Sequence, residues 1–172
     1  IMQVVEALDA GAMYKKGEIV LTPETTGGSL HDQMAELGAV LMDEVLDELD
    51  HLVAEPQDEA LVTYAAKLDK SESKLDFSQP AEVLERKIRA FNPFPAAYFE
   101  YQGERFKVLG SEALDADAAM APGSIVPNDT GLLIQCQPGL LLVTQIQRQG
   151  KKAMATEDLL RGFSFAEGTV LN

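Results

Sequence analysis

Between Leu30 and Leu52 the apolar residues Leu30, Met34, Leu37, Leu41, Val45, Leu49 and Leu52 recur at steps of three and four, the spacing that lines one side of a helix. Ser29 followed by Asp32 has the spacing of a capping box at its start. Asp43, Glu44, Asp47, Glu48 and Asp50 gather near its end, where acids oppose the helix dipole and predict a frayed or exposed terminus. Ahead of this helix the pattern is extended. Ile1, Met2, Gln3, Val4 and Val5 read as a strand entered midway, with no turn chemistry before it, and residues 15–21 read as a second strand that ends at Thr22-Pro23.

After the helix the periodicity breaks. Residues 53–69 are polar with Pro56 and Gln57, and predict an interdomain linker. A second helix is expected after Phe77: Ser78 can cap it, Pro80 suits its first turn, and Leu84, Ile88 and Phe91 fall at i, i+4 and i+7. Asn92-Pro93-Phe94-Pro95 stops it, because a residue before proline is pushed out of the helical region. From there the runs shorten: 97–101, 105–109, 124–126, 132–137 and 140–147 are apolar or alternating stretches parted by glycine or proline turns. Five strands at that spacing predict a small barrel or sandwich, closed by a short helix that Thr156 caps and that runs to Arg161.

Composition changes this picture in one respect, the distribution of charge. A net charge of −14 argues against a polyanionic partner at first sight, yet residues 1–80 hold 5 Lys/Arg and 17 Asp/Glu while residues 81–172 hold 9 and 11. The acidity therefore belongs to one half. No stretch approaches the roughly 18 apolar residues that a membrane helix needs, so no membrane partner is expected. The single cysteine, Cys136, cannot pair within the chain; it reads as a packing residue in a reducing, cytoplasmic setting. One Cys with two widely separated histidines, His31 and His51, offers no metal-ligand spacing, and both histidines read as solvated ends of the first helix.

Six segments, QVVEALDAGAM (3–13), GGSLHDQMAELGA (27–39), PQDEALVTYAAKL (56–68), LERKIRAFNPFPAA (84–97), APGSIV (121–126) and GKKAMATEDLLRG (150–162), resemble the methionyl-tRNA formyltransferase family in order and spacing across essentially the whole chain. IRAFNPFP and the closing GKK…DLLRG are the most specific. The resemblance implies an α/β plus all-β chain: the truncated end of a Rossmann-like formyltransferase domain (1–52), a linker (53–69) and an OB-like β-barrel domain with flanking helices (70–172). It also implies transfer of a formyl group from 10-formyltetrahydrofolate to the amine of initiator methionyl-tRNA, without a metal. The sequence departs from the family at Phe77 and Phe94, where tryptophan is more usual, and at Ala7, Ala10 and Ala12 of the aspartate loop, where the family favours Gly, Thr and Asp.

In this family the transfer is served by an Asn, a His and an Asp. Only the Asp has a counterpart here, Asp9, and the other two are expected upstream of residue 1, so this piece alone is expected to be inactive. A carboxylate beside a histidine favours its charged form and fixes its orientation. On the residues alone, Asp9-Ala10-Gly11 reads more readily as a simple turn, and it is the resemblance that assigns Asp9 a functional role. For tRNA the resemblance selects Lys67, Arg86, Lys87, Arg89, Lys151 and Lys152 from a wider basic set that includes Lys70, Lys74 and Lys107. Singly each is an ordinary surface cation; together they read as a phosphate-facing track, which fixes position and not sequence. Two other readings remain open at this point: another folate-dependent formyltransferase or formyltetrahydrofolate hydrolase, and a non-catalytic OB-like nucleic-acid-binding module.

Overall fold

A computed structural model describes residues 1–128 and 131–171. The chain divides into two compact units: Ile1–Pro23 with Ser29–Lys67, and Glu24–Gly28 with Leu68–Asn172.

The first unit is built on helix α1, Gly27–Glu48, whose first two residues count with the second unit. Ser29 lies inside the helix and not at its cap, and Leu49 and Leu52 fall beyond its end, so the expected stripe is shortened at both limits. Of the stripe only Val45 is buried, while Leu30, Leu37 and Leu41 are half-covered. The two expected strands do not form. Residues 1–21 make one isolated antiparallel bridge, Met2 to Met13, and Met13 in turn bridges Glu55. A strand persists only where a neighbour satisfies its backbone ladder, and Val4 and Val20, which are 100% and 82% exposed, have no burial to enforce an alternating face. Residues 53–67, expected as a linker, belong to this unit and include a single turn of 3-10 helix, Glu59–Leu61.

The second unit holds the core. Helix α2, Ala81–Phe91, buries Ala81, Leu84, Ile88 and Phe91 on one stripe, as its spacing predicts, and each of the three large side chains contributes about 1.5–3 kcal/mol of apolar burial. Its start differs from expectation: Pro80 occupies the cap, and the Ser78 hydroxyl and amide donate instead to Asp76, whose carboxyl is held below its usual range chiefly by that hydroxyl. Asn92 ends the helix in an extended conformation, and its side chain donates to the Leu109 carbonyl at 2.7 Å. Gly28 donates its N–H to the Asn92 carbonyl at 2.9 Å; a Cβ at Gly27 would meet the Ala90 carbonyl oxygen at 2.3 Å, so only glycine fits against this end of α2.

Six strands follow: β1 Ala97–Tyr101, β2 Glu104–Leu114, β3 Ile125–Val126, β4 Leu132–Gln135, β5 Leu140–Arg148 and β6 Met154–Ala155. They form one antiparallel sheet in the order β1-β2-β5-β4-β3, with β6 added to β5. The five expected strands are all present. β2 is longer than expected and irregular around Gly110, where a Cβ would stand 2.8 Å from the Thr144 hydroxyl, and β6 is new. Tyr101, Phe106, Phe163 and Phe165 interlock by tilted and edge-on contacts at 5.0–6.4 Å. Helix α3, Thr156–Leu160, begins at Thr156 and not after it. Thr156 is therefore no cap: it is 1% exposed, and its hydroxyl has no partner among the described residues. Burial accounts for Cys136, whose thiol is pushed up to about 12 and stays neutral and unreactive. Among the described residues no helix is long and apolar enough to cross a membrane.

Candidate functional site

In the first unit the sequence singles out Asp9. It sits in a turn with φ of +55°, a left-handed conformation that aspartate tolerates better than most residues. The loop is tied from a distance by one side chain. Gln57 Nε2 donates to the Asp9 carbonyl and to the Gly11 carbonyl, both at 2.8 Å. Gly11 is buried against the opening segment, where a Cβ would lie 1.8 Å from the Gln3 carbonyl oxygen, so no side chain fits there. Paired backbone bonds between Met13 and Glu55, at 2.8 Å each way, and a 2.8 Å ion pair from Lys16 to Glu55 brace the return of the loop.

These ties leave the Asp9 carboxylate exposed and without a hydrogen-bond or ion-pair partner among the described residues. Asp9 and Gln57 border an open groove of about 660 Å³ whose remaining wall is mostly apolar: Ile1, Met2, Met13, Ile19, Leu30, Met34, Leu37 and Leu41. Gly17 lets the segment lie close on α1, since a Cβ there would meet Leu37 and Leu41 at 2.8 and 2.9 Å. Neither histidine lines this groove; His31 is 82% exposed, with Nδ1 3.3 Å from its neighbour Asp32. Gln57 escaped the reading of the sequence because nothing in a one-dimensional pattern links positions 57 and 9. Its only signal was its place in the PQDEAL segment.

The basic residues of the second unit differ in how free they are. Arg89 is spent on structure: Nε lies 2.5 Å from Glu85 and Nη1 donates to the Thr25 carbonyl at 3.0 Å. Arg86 faces solvent with only a loose 3.9 Å approach to Glu82. Lys87 donates to the Lys74 carbonyl at 3.0 Å and lies 5.9 Å over the Phe91 ring. Lys151 and Lys152 are exposed in the turn after β5, where the Lys151 carbonyl accepts from Gln147 at 2.8 Å.

Contacts join the two ends of this set. Lys74 bridges Tyr98, Tyr98 pairs with Lys107, Lys107 pairs with Gln147, and Gln147 holds the Lys151 turn. Lys67, in the first unit, is exposed. Arg105 and Tyr98 lie outside the track read from sequence. The signal that could have found them is the two-residue alternation of β1 and β2, which sets Tyr98, Glu100, Arg105 and Lys107 on the face opposite Phe99, Phe106 and Val108. Among the described residues no group of three or more His, Cys, Asp or Glu is placed to hold a metal ion.

Comparison with known proteins places this geometry. Residues 67–164, more than half of the chain, match the family described as formyl transferase, C-terminal domain. Curated methionyl-tRNA formyltransferases are similar throughout. That of Rhizorhabdus wittichii is 46% identical over 171 residues, covering 99% of this chain and 54% of the relative. That of Methylobacillus flagellatus is 43% identical over 171 residues, covering 98% and 55%. The chain thus spans about half the length of the curated relatives it matches. Among solved structures, HypX from Aquifex aeolicus superposes with a TM-score of 0.67 at 16% identity, over 94% of this chain and 30% of HypX. A second HypX structure, in complex with tetrahydrofolic acid, gives a TM-score of 0.66. At that identity the likeness establishes a shared fold.

Proposed function

The chain belongs to the formyl transferase C-terminal domain family, and from this we propose that it is the C-terminal part of a cytoplasmic methionyl-tRNA formyltransferase, which moves a formyl group from 10-formyltetrahydrofolate to the amine of initiator methionyl-tRNA in translation initiation. The observation that carries the reading is similarity to such enzymes over 99% of the chain, through residues 1–66 as well as the domain match. In this reading residues 1–52 end a Rossmann-like catalytic domain, 53–69 link it onward, and 70–172 form the OB-like domain that faces tRNA.

Formyl transfer needs a neutral amine to attack the formyl carbon, a donor for the developing oxyanion, and a route for the proton to the leaving folate nitrogen. Asp9 supplies the anionic member. Its carboxylate, exposed and unengaged while Gln57 fixes its backbone, is available to orient a histidine and stabilise its charged form. Lys67, Arg86, Lys87, Lys151 and Lys152 supply phosphate contacts; Arg89 serves by anchoring α2.

The test is formyl transfer by the intact enzyme with 10-formyltetrahydrofolate and charged initiator tRNA, beside the 172-residue chain alone. Formylmethionyl-tRNA from the intact enzyme and none from the shorter chain is the expected result, since groups that act as a unit lose almost everything when members are missing. Formylation of an amino sugar, or hydrolysis of the folate in place of transfer to tRNA, would favour a different member of the family. Failure of either protein to bind tRNA, with no transfer, would overturn the reading.

A further inference from the structure

The loop that carries Asp9 is held by little of its own. Ala7, Ala10 and Ala12 bring it no polar side chain, and Asp9 and Ala10 are exposed, so packing does not fix them either. Its closing bond comes from the backbone, the Gln3 N–H donating to the Ala12 carbonyl at 2.9 Å. A residue other than glycine stays at a φ of +55° only where its surroundings over-determine it. For Asp9 that constraint comes from outside the loop.

Its source is Gln57. The carboxamide nitrogen has two N–H groups, and each finds a carbonyl: Asp9 and Gly11, both at 2.8 Å, with Met2 Sδ a looser neighbour at 3.8 Å. The two carbonyls flank Ala10. One amide thus clamps the chain on both sides of it, and the Asp9 backbone cannot turn without breaking a hydrogen bond. Gln57 approaches from a rigid base. Glu55 exchanges backbone bonds with Met13, Pro56 has its φ fixed by its ring, and Asp58 accepts from the Ala60 N–H at 2.9 Å to cap the turn Glu59–Leu61.

The chemistry of the clamp selects its side chain. Asparagine is one methylene short, methionine has the length without a donor, and an ionised glutamate is an acceptor only, which would set oxygen against two carbonyl oxygens. The fold has other ties here. The Met13–Glu55 pair, the Lys16–Glu55 ion pair and buried Gly11 hold the return of the loop without Gln57. What Gln57 adds is the orientation of Asp9.

We propose that Gln57 is a positioning residue for formyl transfer, which aims the Asp9 carboxylate by clamping the carbonyls on either side of Ala10. The proposal rests on the function proposed above, in which Asp9 is the anionic member of the site. Both donors of Gln57 are spent on the loop, so it acts on the reaction through Asp9. Its loss should slow the chemical step and leave tRNA binding alone.

The experiment is a double-mutant cycle in the intact enzyme, with 10-formyltetrahydrofolate, charged initiator tRNA and melting curves for each variant. Gln57→Met should lower kcat about 10- to 100-fold and keep KM for tRNA within about twofold, the signature of a misplaced group. In the Asp9→Asn background the same substitution should cost about twofold or less, because a residue that acts through Asp9 has nothing left to position. Gln57→Glu should lose at least as much turnover as Gln57→Met.

Equal losses in the two backgrounds would show that Gln57 serves the fold in general and would overturn the proposal. Unfolding of both Gln57 variants at the assay temperature would do the same. Parent-like kcat in either variant, beside the expected loss in Asp9→Asn, would remove Gln57 and leave the proposed function standing. Absence of formylmethionyl-tRNA from the unaltered enzyme, or undiminished turnover by Asp9→Asn, would instead strike the reading of the site and the role of Gln57 with it.

Discussion

At the scale of single residues, Asp9 is constrained through its backbone and free at its carboxylate. Function and folding can therefore be separated there. Asn tolerates the +55° φ as Asp does, so Asp9→Asn in the intact enzyme should melt within about 1 °C of the parent while kcat falls roughly 10²- to 10⁴-fold, because an amide can neither stabilise an imidazolium nor accept a proton. Near-normal turnover would remove Asp9 from the chemistry. A second residue-scale prediction concerns pH. The Arg148 hydrogen bond holds Glu104 below the ordinary glutamate value of 4.5. A depressed folded pKa adds stability above the unfolded value and loses it as pH falls through the folded one. The gap between melting curves of Glu104→Gln and the parent should thus be full at neutral pH, start to close as pH falls past about 4.5 and vanish only below the depressed folded value; a gap that persists there would mean the pair acts by packing. Asp9 is singled out only by the resemblance of its segment, and its role is the proposal that Asp9→Asn tests. Gln57, Glu104 and Arg148 were not legible in the sequence, since their work depends on partners 44 to 48 positions away.

At the scale of elements, what could be read from sequence was what burial enforces. The α2 stripe and the strands 97–101 and 140–148 carry their pattern because one face meets a core, and 132–135 reads as a short apolar run because all four of its residues are buried. Residues 1–5 and 15–21 have strand-like composition and no ladder beside them, and composition alone does not make a strand. Helix starts were misread for a smaller reason: hydroxyls at 29, 78 and 156 have the right identity for caps, but two stand inside their helices and the third turns to Asp76. Thr156 tests this. A lost cap costs about 0.5–2 kcal/mol, whereas removing a buried, unpartnered hydroxyl while keeping its volume is neutral or stabilising. Thr156→Val should leave the urea midpoint unchanged or raise it; a clear fall would restore the cap.

At the scale of the whole molecule, the core lies in the second unit, while the first exposes much of its apolar surface, with Val20, Met34 and Leu46 at 82%, 59% and 61%. Met34 also lines the open, mostly apolar groove of this unit, and exposed apolar surface of this kind favours self-association of the isolated chain. Sedimentation should show mass rising with concentration, and Met34→Lys should suppress it; a strictly monomeric parent would contradict this. The sheet of the second unit stays out of such association for a reason visible at its two margins. Leu75 donates its N–H to Tyr98 at 2.8 Å along β1, and residues 168–171 run beside β3, where Ile125 donates to Thr169 at 2.9 Å and Leu171 to Gly123 at 2.8 Å. Each margin is closed by a few residues of its own chain, too short to count as strands, that occupy the donors and acceptors a foreign strand would seek. Those residues act as a guard against polymerisation: trimming the chain after Gly168 should leave the β1 margin sealed and turn the β3 margin into a template for fibre growth, detectable as thioflavin-positive aggregate.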